Sequence, residues 1–408
     1  MIQTNSLFDK INFNGGNLSS DGGSILLSQF LKKINLKKLL DFCAKMAGIC
    51  YMKDNFEKIL NEPEISTEKR LNRVLKSGHH SVFDHVKLTF EFSNIPKIIA
   101  MILNNEKDYS TSEKSARYTE LKDLSKREST LYNKWINILM PIIKEKYPKL
   151  YNANLKDPML KIRKLAQENA RYFVSIFSRT TSMGYTVSLR QLNYLLYMMD
   201  EFILNHDSTN FNDILAQNLK EFVSLFEEYR VKDLIPLGKN RKLSLFGDKK
   251  YNDIPDVFSY VYQTSFKASF SCVAQNHRHR SEHSFIYLLD NFEFYIPEIL
   301  EDNDNLKSQW AKDMQSIADM YPQGTLVKII QTGNLDTLFL KSTERVCGQA
   351  QLEIMRHTAN TVEKFIQNSE YGYILKDLTN GANAKCKYKN SRCSSPCIFG
   401  ANQYNRKI

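Results

Sequence analysis

Long apolar runs are missing from this chain, and no uninterrupted stretch approaches the length that crosses a bilayer. The amino terminus also lacks a secretory signal pattern, so the cytoplasm is the expected address and no membrane partner is expected. Cysteine is sparse, with seven in 408 residues, which excludes a disulfide-held scaffold. Four of the seven (Cys43, Cys50, Cys272, Cys347) sit in apolar segments, as ordinary core residues do. The other three, Cys386, Cys393 and Cys397, lie in a basic tail without histidine, and their spacing is unlike the C-x2-C of common zinc sites. Adventitious thiols on a disordered tail, or a metal or redox clip, are the two readings left open there.

Hydrophobic residues make up 42% and charged residues 25%, which fits a soluble globular protein with room for two domains, each with its own core. The net charge of +11 favours an anionic partner, and nucleotides and folates qualify as well as nucleic acid. The positive charge is dispersed over predicted helices and forms no aromatic-laced stripe, so nucleic acid is not the expected partner.

The pattern of segments occurs twice. Residues 1–40 form an atypical start, with a turn-rich Asn14–Gly23 stretch and then helical spacing, and they look like the opening of certain DDE transposases. In a first repeat, residues 41–230, the spacing predicts a helix over 42–51 and a basic helix stopping at Gly78. A strand over 87–92, a helix over 96–103, long helices within 120–177, a strand over 185–188 and a helix over 190–204 follow. In a second repeat, residues 231–376, an aromatic strand is expected over 258–262 and a helix over 266–274. A polar loop over 277–284, a strand over 325–330 and one long helix over 335–357 complete it. Residues 228–255 are the expected boundary, and 377–408 form the tail.

Six of the eight histidines fall in two clusters. In His277-Arg278-His279-Arg280, two guanidinium groups and up to two imidazoliums could clamp a pyrophosphate or ring carbonyls; a solvated basic loop is the bland alternative. A zinc site from His277, His279 and His283 would have to overcome the interleaved arginines, and no metal is expected. His79, His80 and His85 surround Ser81 and Asp84 and could cap a helix, or pack in a core. Glu113, Ser115 and Arg117 place a carboxylate, a hydroxyl and a guanidinium within five residues, a common surface pattern when taken alone.

In order, these segments resemble a tandem-duplicated form of the flavin-dependent thymidylate synthases. The family pattern is a His-x-Ser-x-Phe-Asp-His segment, then Arg-His-Arg, a loop end Ser-x-Arg-Tyr, an Asn-x-Arg segment, and Arg-x4-Ala-Gln-x-Glu-Ile. The first repeat holds His79, Ser81, Phe83, Asp84 and His85, then Glu113, Ser115, Arg117 and Tyr118, then Arg171 and Arg190. It has Asn105-Glu106-Lys107 in place of Arg-His-Arg, and Met199 in place of the helix arginine. The second repeat supplies Gln275, Arg278-His279-Arg280, Asn334, and Arg345 followed by Ala350-Gln351-Leu352-Glu353-Ile354. It lacks the loop end, and Asp319 and Asp336 replace expected arginines.

The losses are complementary, so the two repeats could pool one site. The resemblance implies an α+β fold of two tandem repeats, each a small, mainly antiparallel sheet packed with long helices. It implies methylation of dUMP to dTMP with FAD, NADPH and methylenetetrahydrofolate, in a homodimer that forms a pseudo-tetramer. Arg345 and His79 are the catalytic candidates. Arg278, His279, Arg280, Ser81, Glu113, Asn334 and Arg190 would contact the flavin; Gln275, Glu113, Ser115, Arg117, Arg171 and Arg345 would contact the nucleotide. A catalytically degenerate nucleotide-binding paralogue is the alternative, with a nucleic-acid-binding protein ranked behind it.

Overall fold

The computed structural model describes residues 35–53, 56–114, 121, 123–236, 243–246, 254–279, 281–389, 391, 393, 397–399 and 404–408. Almost all of the transposase-like start lies outside them, as do Ser115, Arg117, Tyr118 and Arg280.

The first half opens with three helices, α1 (Leu36–Tyr51), α2 (Phe56–Leu60) and α3 (Glu64–Lys76). Asn35 caps α1 by accepting from the Lys38 amide at 3.2 Å. Beyond α3, Gly78 adopts φ +74°, the left-handed turn that ends many helices. Strand β1 (Lys87–Ile95) buries alternate residues, among them Leu88, Phe90 and Phe92. It leads through Pro96 into α4 (Lys97–Asn105), which is buried along almost its whole length. The chain continues as β2 (Tyr109–Glu113), α5 (Lys126–Lys146), α6 (Leu160–Ala170), β3 (Thr181–Ser188), α7 (Leu189–Asn205) and α8 (Asn210–Ser224). A Ser125/Glu128 capping box starts α5. Strand β2 falls in what was expected to be loop.

The second half runs β4 (Val257–Phe258), β5 (Val261–Ser269), α9 (Phe270–Asn276), β6 (His283–Leu288), α10 (Asp304–Gln315), β7 (Leu326–Asn334), α11 (Leu335–Arg345), α12 (Leu352–Asn368) and α13 (Gly372–Leu378). Three expectations are corrected. Residues 258–262 are not one strand, because the chain turns back between β4 and β5. The helix expected from Phe266 begins at Phe270, since Phe266–Ser269 pair with β7 and Ser269 caps the helix from the strand end. The single helix expected over 335–357 is broken at 346–351, where Arg406 donates to the Gly348 and Ala350 carbonyls at 2.9 and 2.8 Å.

The architecture is α+β with two antiparallel sheets, ordered β1-β3-β2 and β4-β5-β7-β6. Setting β4 aside, strands β1, β2, β3 and β5, β6, β7 take the same order, and each sheet feeds helices at matching points. Several backbone bonds occur twice. Ile98 N donates to Ile176 O at 2.9 Å, as Ser271 N does to Gln323 O at 3.0 Å. Leu189 N donates to Val86 O at 3.0 Å, as Leu335 N does to Tyr260 O at 2.9 Å. Where the halves meet, Ile176 N donates to Tyr321 O (3.1 Å) and Gln323 N to Val174 O (2.8 Å), a reciprocal pair between matching positions.

The core is not divided between the halves as chain length suggests. The largest apolar cluster joins Phe90, Phe92 and Tyr185 to Phe270, Val273 and Ile354. A second cluster wedges Trp310 of α10 edge-on against Trp135 of α5 at 4.7 Å and Phe173 at 4.6 Å, the arrangement that aromatic quadrupoles favour. Among the described residues no helix is long and apolar enough to cross a membrane.

Candidate functional site

The junction between the halves carries a buried polar cluster. Arg171 leaves the end of α6 in a tight 3-10 turn. Its Nη2 donates to Ser271 Oγ of α9 at 2.7 Å and to Gln351 Oε1. Gln275, one turn further along α9, donates to the same Gln351 oxygen. Gln351 in turn donates to the Tyr172 hydroxyl, which donates to Glu353 Oε2 at 2.9 Å. Glu353 also accepts from the Ser269 amide (2.7 Å) and hydroxyl (2.5 Å). One arginine from the first half thus bonds two polar side chains of the second, Ser271 and Gln351. Burial raises the Glu353 carboxyl, the donors from Ser269 and Tyr172 oppose that rise, and burial raises the Tyr172 phenol, which keeps it a donor. Burial also raises the Cys272 thiol well above its ordinary value, so it remains protonated.

Beside this cluster, Arg345 at the end of α11 donates from Nε to His279 Nε2 at 2.7 Å and from Nη2 to the Gln275 carbonyl at 3.3 Å. The Arg345–His279 bond needs an unprotonated Nε2. Burial, with Lys341 and Arg345 adding repulsion, pushes His279 down to about 2. His277 is also fully buried, lowered by burial and by Lys107 and Lys97, and neither ring nitrogen has a hydrogen-bond partner. The expected imidazolium charges are therefore absent, because a dry pocket ringed by cations excludes a further proton. Arg278 is exposed, while its two neighbouring histidines point inward.

Arg171, Gln275, His279 and Arg345 are the expected site residues that the structure brings together. Of the other described candidates, Glu113, Arg190 and Asn334 are engaged elsewhere. Glu113 is ion-paired with Lys97 and accepts from Asn104 at 3.1 Å. Arg190 pairs with Asp84 at 2.6 Å, and Asp84 also accepts from Ser188 at 2.6 Å. Asn334 caps α11 in a box with Thr337, both bonds 2.9 Å. His79 precedes a 3-10 turn (His80–His85) that carries the exposed Ser81. His80 is a packed core histidine, bonded to the Tyr194 hydroxyl at 2.8 Å and facing the Leu75 carbonyl at 2.9 Å. Asp319 pairs on the surface with Arg127 at 2.9 Å, and Asp336 accepts from Tyr260 at 2.7 Å.

Sequence reasoning missed Ser271, Tyr172, Gln351 and Glu353 as members of the site. The last two belong to the Ala-Gln-x-Glu-Ile motif, so the signal was present without a role attached. The cluster's donors are numerous, Gln275 Oε1 is buried without a partner, and Glu353 spends both oxygens internally. The two guanidinium forks, Arg171 and Arg345, suit a phosphate-bearing ligand.

Residues 35–201 match the family described as "Thymidylate synthase complementing protein". The chain is 28% identical over 152 residues to the flavin-dependent thymidylate synthase of Pyrococcus abyssi, covering 35% of this chain and 56% of that protein. It is 26% identical over 152 residues to the enzyme of that name from Pyrococcus furiosus, covering 35% and 56% respectively. For the Thermococcus onnurineus enzyme the figures are 26% over 144 residues, 33% and 54%. The chain spans about half the length of the curated relatives it matches. These similarities support a relationship to that family, and the family match ends before the second sheet begins.

Proposed function

We propose that the chain is a flavin-dependent thymidylate synthase of the cytoplasm, methylating dUMP to dTMP with methylenetetrahydrofolate and NADPH as co-substrates. The observation that carries this reading is Arg171 of one half bonded to Ser271 and Gln351 of the other, where Gln275 shares the Gln351 oxygen and Arg345 donates to the Gln275 carbonyl. Two tandem repeats that have each lost part of a site could still build a whole one from such a junction. The repeated strand order and the reciprocal bonds between the halves support that ancestry. Two chains would associate as a pseudo-tetramer.

The guanidinium groups of Arg171, Arg278 and Arg345 suit anionic ligands such as FAD and dUMP. Arg278, His279 and Arg280 would hold the flavin, with Ser81 contributing, and Glu113, Arg190 and Asn334 once the pairs they now make rearrange. When bound, the flavin supplies the hydride. Arg171 and Arg117 anchor the nucleotide phosphate, and Ser115 and Gln275 orient it. Arg345 faces the uracil edge and stabilises negative charge as carbon five becomes nucleophilic, an effect worth about 3 kcal/mol in a dry site. Neutral His279 fixes the Arg345 guanidinium without competing for the anion. His79 helps position folate or flavin.

Purified protein should be yellow and should release tritium from 5-labelled dUMP only when methylenetetrahydrofolate and NADPH are added. A folded, colourless protein that releases none would sink the proposal. The second reading, a degenerate nucleotide-binding paralogue, is favoured by the pairing of Glu113 with Lys97 and of Arg190 with Asp84. It predicts dUMP binding without turnover.

A further inference from the structure

A second buried polar cluster lies one helical turn before Arg345, and nothing in the proposed reaction uses it. The Lys341 ammonium on α11 donates to Asn276 Oδ1, to Gln331 Oε1 at 2.8 Å, and ion-pairs with Glu282 Oε2 at 3.0 Å. The Lys341 and Glu282 side chains are 3% and 1% exposed. The Tyr262 hydroxyl donates to Glu282 Oε1 at 2.6 Å and accepts from Gln331 Nε2 at 2.7 Å. Asn276 Nδ2 reaches Ser284 Oγ at 3.1 Å and Gln331 Oε1 at 3.2 Å.

The chain contains its own control for this cluster. Counting from matching helix caps, Ser188 for α7 and Asn334 for α11, Lys341 corresponds to Leu195 and Gln331 to Tyr185. Strand register places Leu88 opposite Val187 and Tyr262 opposite Gly333, so Tyr262 corresponds to Leu88. In the same way Glu282 corresponds to Tyr109, and Asn276 to Leu103. The first half therefore fills this place with buried Leu88, Leu103, Tyr109, Tyr185 and Leu195. The fold does not require charged groups there. A buried ion pair is seldom more stable than apolar residues of similar volume, because both charges must be desolvated.

What distinguishes the second half is the loop between two of the three acceptors of Lys341. Asn276 and Glu282 flank residues 277–281, which carry Arg278, His279 and Arg280. By holding both flanks, Lys341 closes the loop at its base. From the next turn of the same helix, Arg345 reaches His279 inside it. We infer that Lys341 is a positioning residue whose pairing with Glu282 and Asn276 sets the conformation of the basic loop that grips an anionic ligand. The ligand named for that loop, FAD, rests on the proposed function; the positioning role does not.

The test exchanges the ion pair for neutral groups, Lys341→Met with Glu282→Gln, in the full chain. Amide hydrogen exchange is read at His279 and Glu282, whose N–H groups bond to the Asn276 and His279 carbonyls at 3.0 and 3.2 Å. The double variant should exchange there at least about tenfold faster, with β7 amides and Tm unchanged. FAD should bind about tenfold more weakly to it. Should the double variant fail to fold, Lys341→Leu with Glu282→Leu carries the same exchange measurement, because it too leaves no buried charge unpaired. Unchanged loop exchange in a folded variant overturns the inference whatever the flavin does. Wild-type protein that binds no FAD overturns the ligand assignment and leaves the exchange result to decide the role of Lys341.

Discussion

Lowering the pH from 7 to 5 should weaken the fold through its buried neutral histidines. His279 is pushed down to about 2 and His357, stacked on Phe266 at 4.7 Å, down to about 4, in both cases first by burial. An imidazole kept neutral in the folded chain takes its proton only on unfolding. Its contribution to stability is therefore complete above the unfolded value near 6.5 and is lost as pH falls toward the folded value. At pH 5 both folded values have still not been reached, so each histidine costs about 1.4 kcal/mol per pH unit below 6.5, or about 2 kcal/mol. Together they remove about 4 kcal/mol from a typical total of about 5–15 kcal/mol, and His277 acts with the same sign. Glu353, raised by burial, acts in the opposite sense, so the informative quantity is a difference. Urea midpoints at pH 7 and 5 should show wild type losing about 2 kcal/mol more than His279→Gln. Equal losses in the two proteins would refute the reasoning.

Three further outcomes follow from particular contacts. Arg278→Ala should abolish flavin binding while leaving the fold intact, and a purified variant as yellow as wild type would contradict that. Arg345→Ala should retain flavin, because Lys341 still holds both flanks of the loop, but should stop dTMP formation; tritium release at the wild-type rate would count against it. At Gly372, an added Cβ would lie 2.3 Å from the Ile366 carbonyl oxygen, so Gly372→Ala should cost about 1–3 kcal/mol. Thermal melting should show a clear drop in Tm.

Much of the first half could be read from sequence because its apolar periods are unambiguous. The alternation in β1 and the helix stop at Gly78 both appear as local patterns, and the structure follows them. The second half was harder for identifiable reasons. Phe258, Tyr260 and Tyr262 read as one aromatic strand, but the hairpin between β4 and β5 is set by pairing across the sheet. Within 335–357 the one local hint of a break is Gly348; Arg406, far downstream, donates to the Gly348 and Ala350 carbonyls there. The protonation of the histidine cluster was misread for a similar reason. Sequence places His277 and His279 beside arginines, whereas burial decides their charge. Arg171 and Gln351 stand 180 positions apart, so only the meeting of the two halves reveals their bond.

The central claim is that one chain completes a site from groups on both of its halves. The most direct measurement co-expresses two differently tagged variants, Arg171→Ala and Arg345→Ala, purifies the doubly tagged assembly and follows tritium release from labelled dUMP. If Arg171 and Arg345 serve the same site within one chain, every site in the mixture lacks one of them, and the assembly should be as inactive as either variant alone. Recovery of activity in the mixed assembly, with both single variants silent, would show that the two arginines come from different chains and would contradict the account.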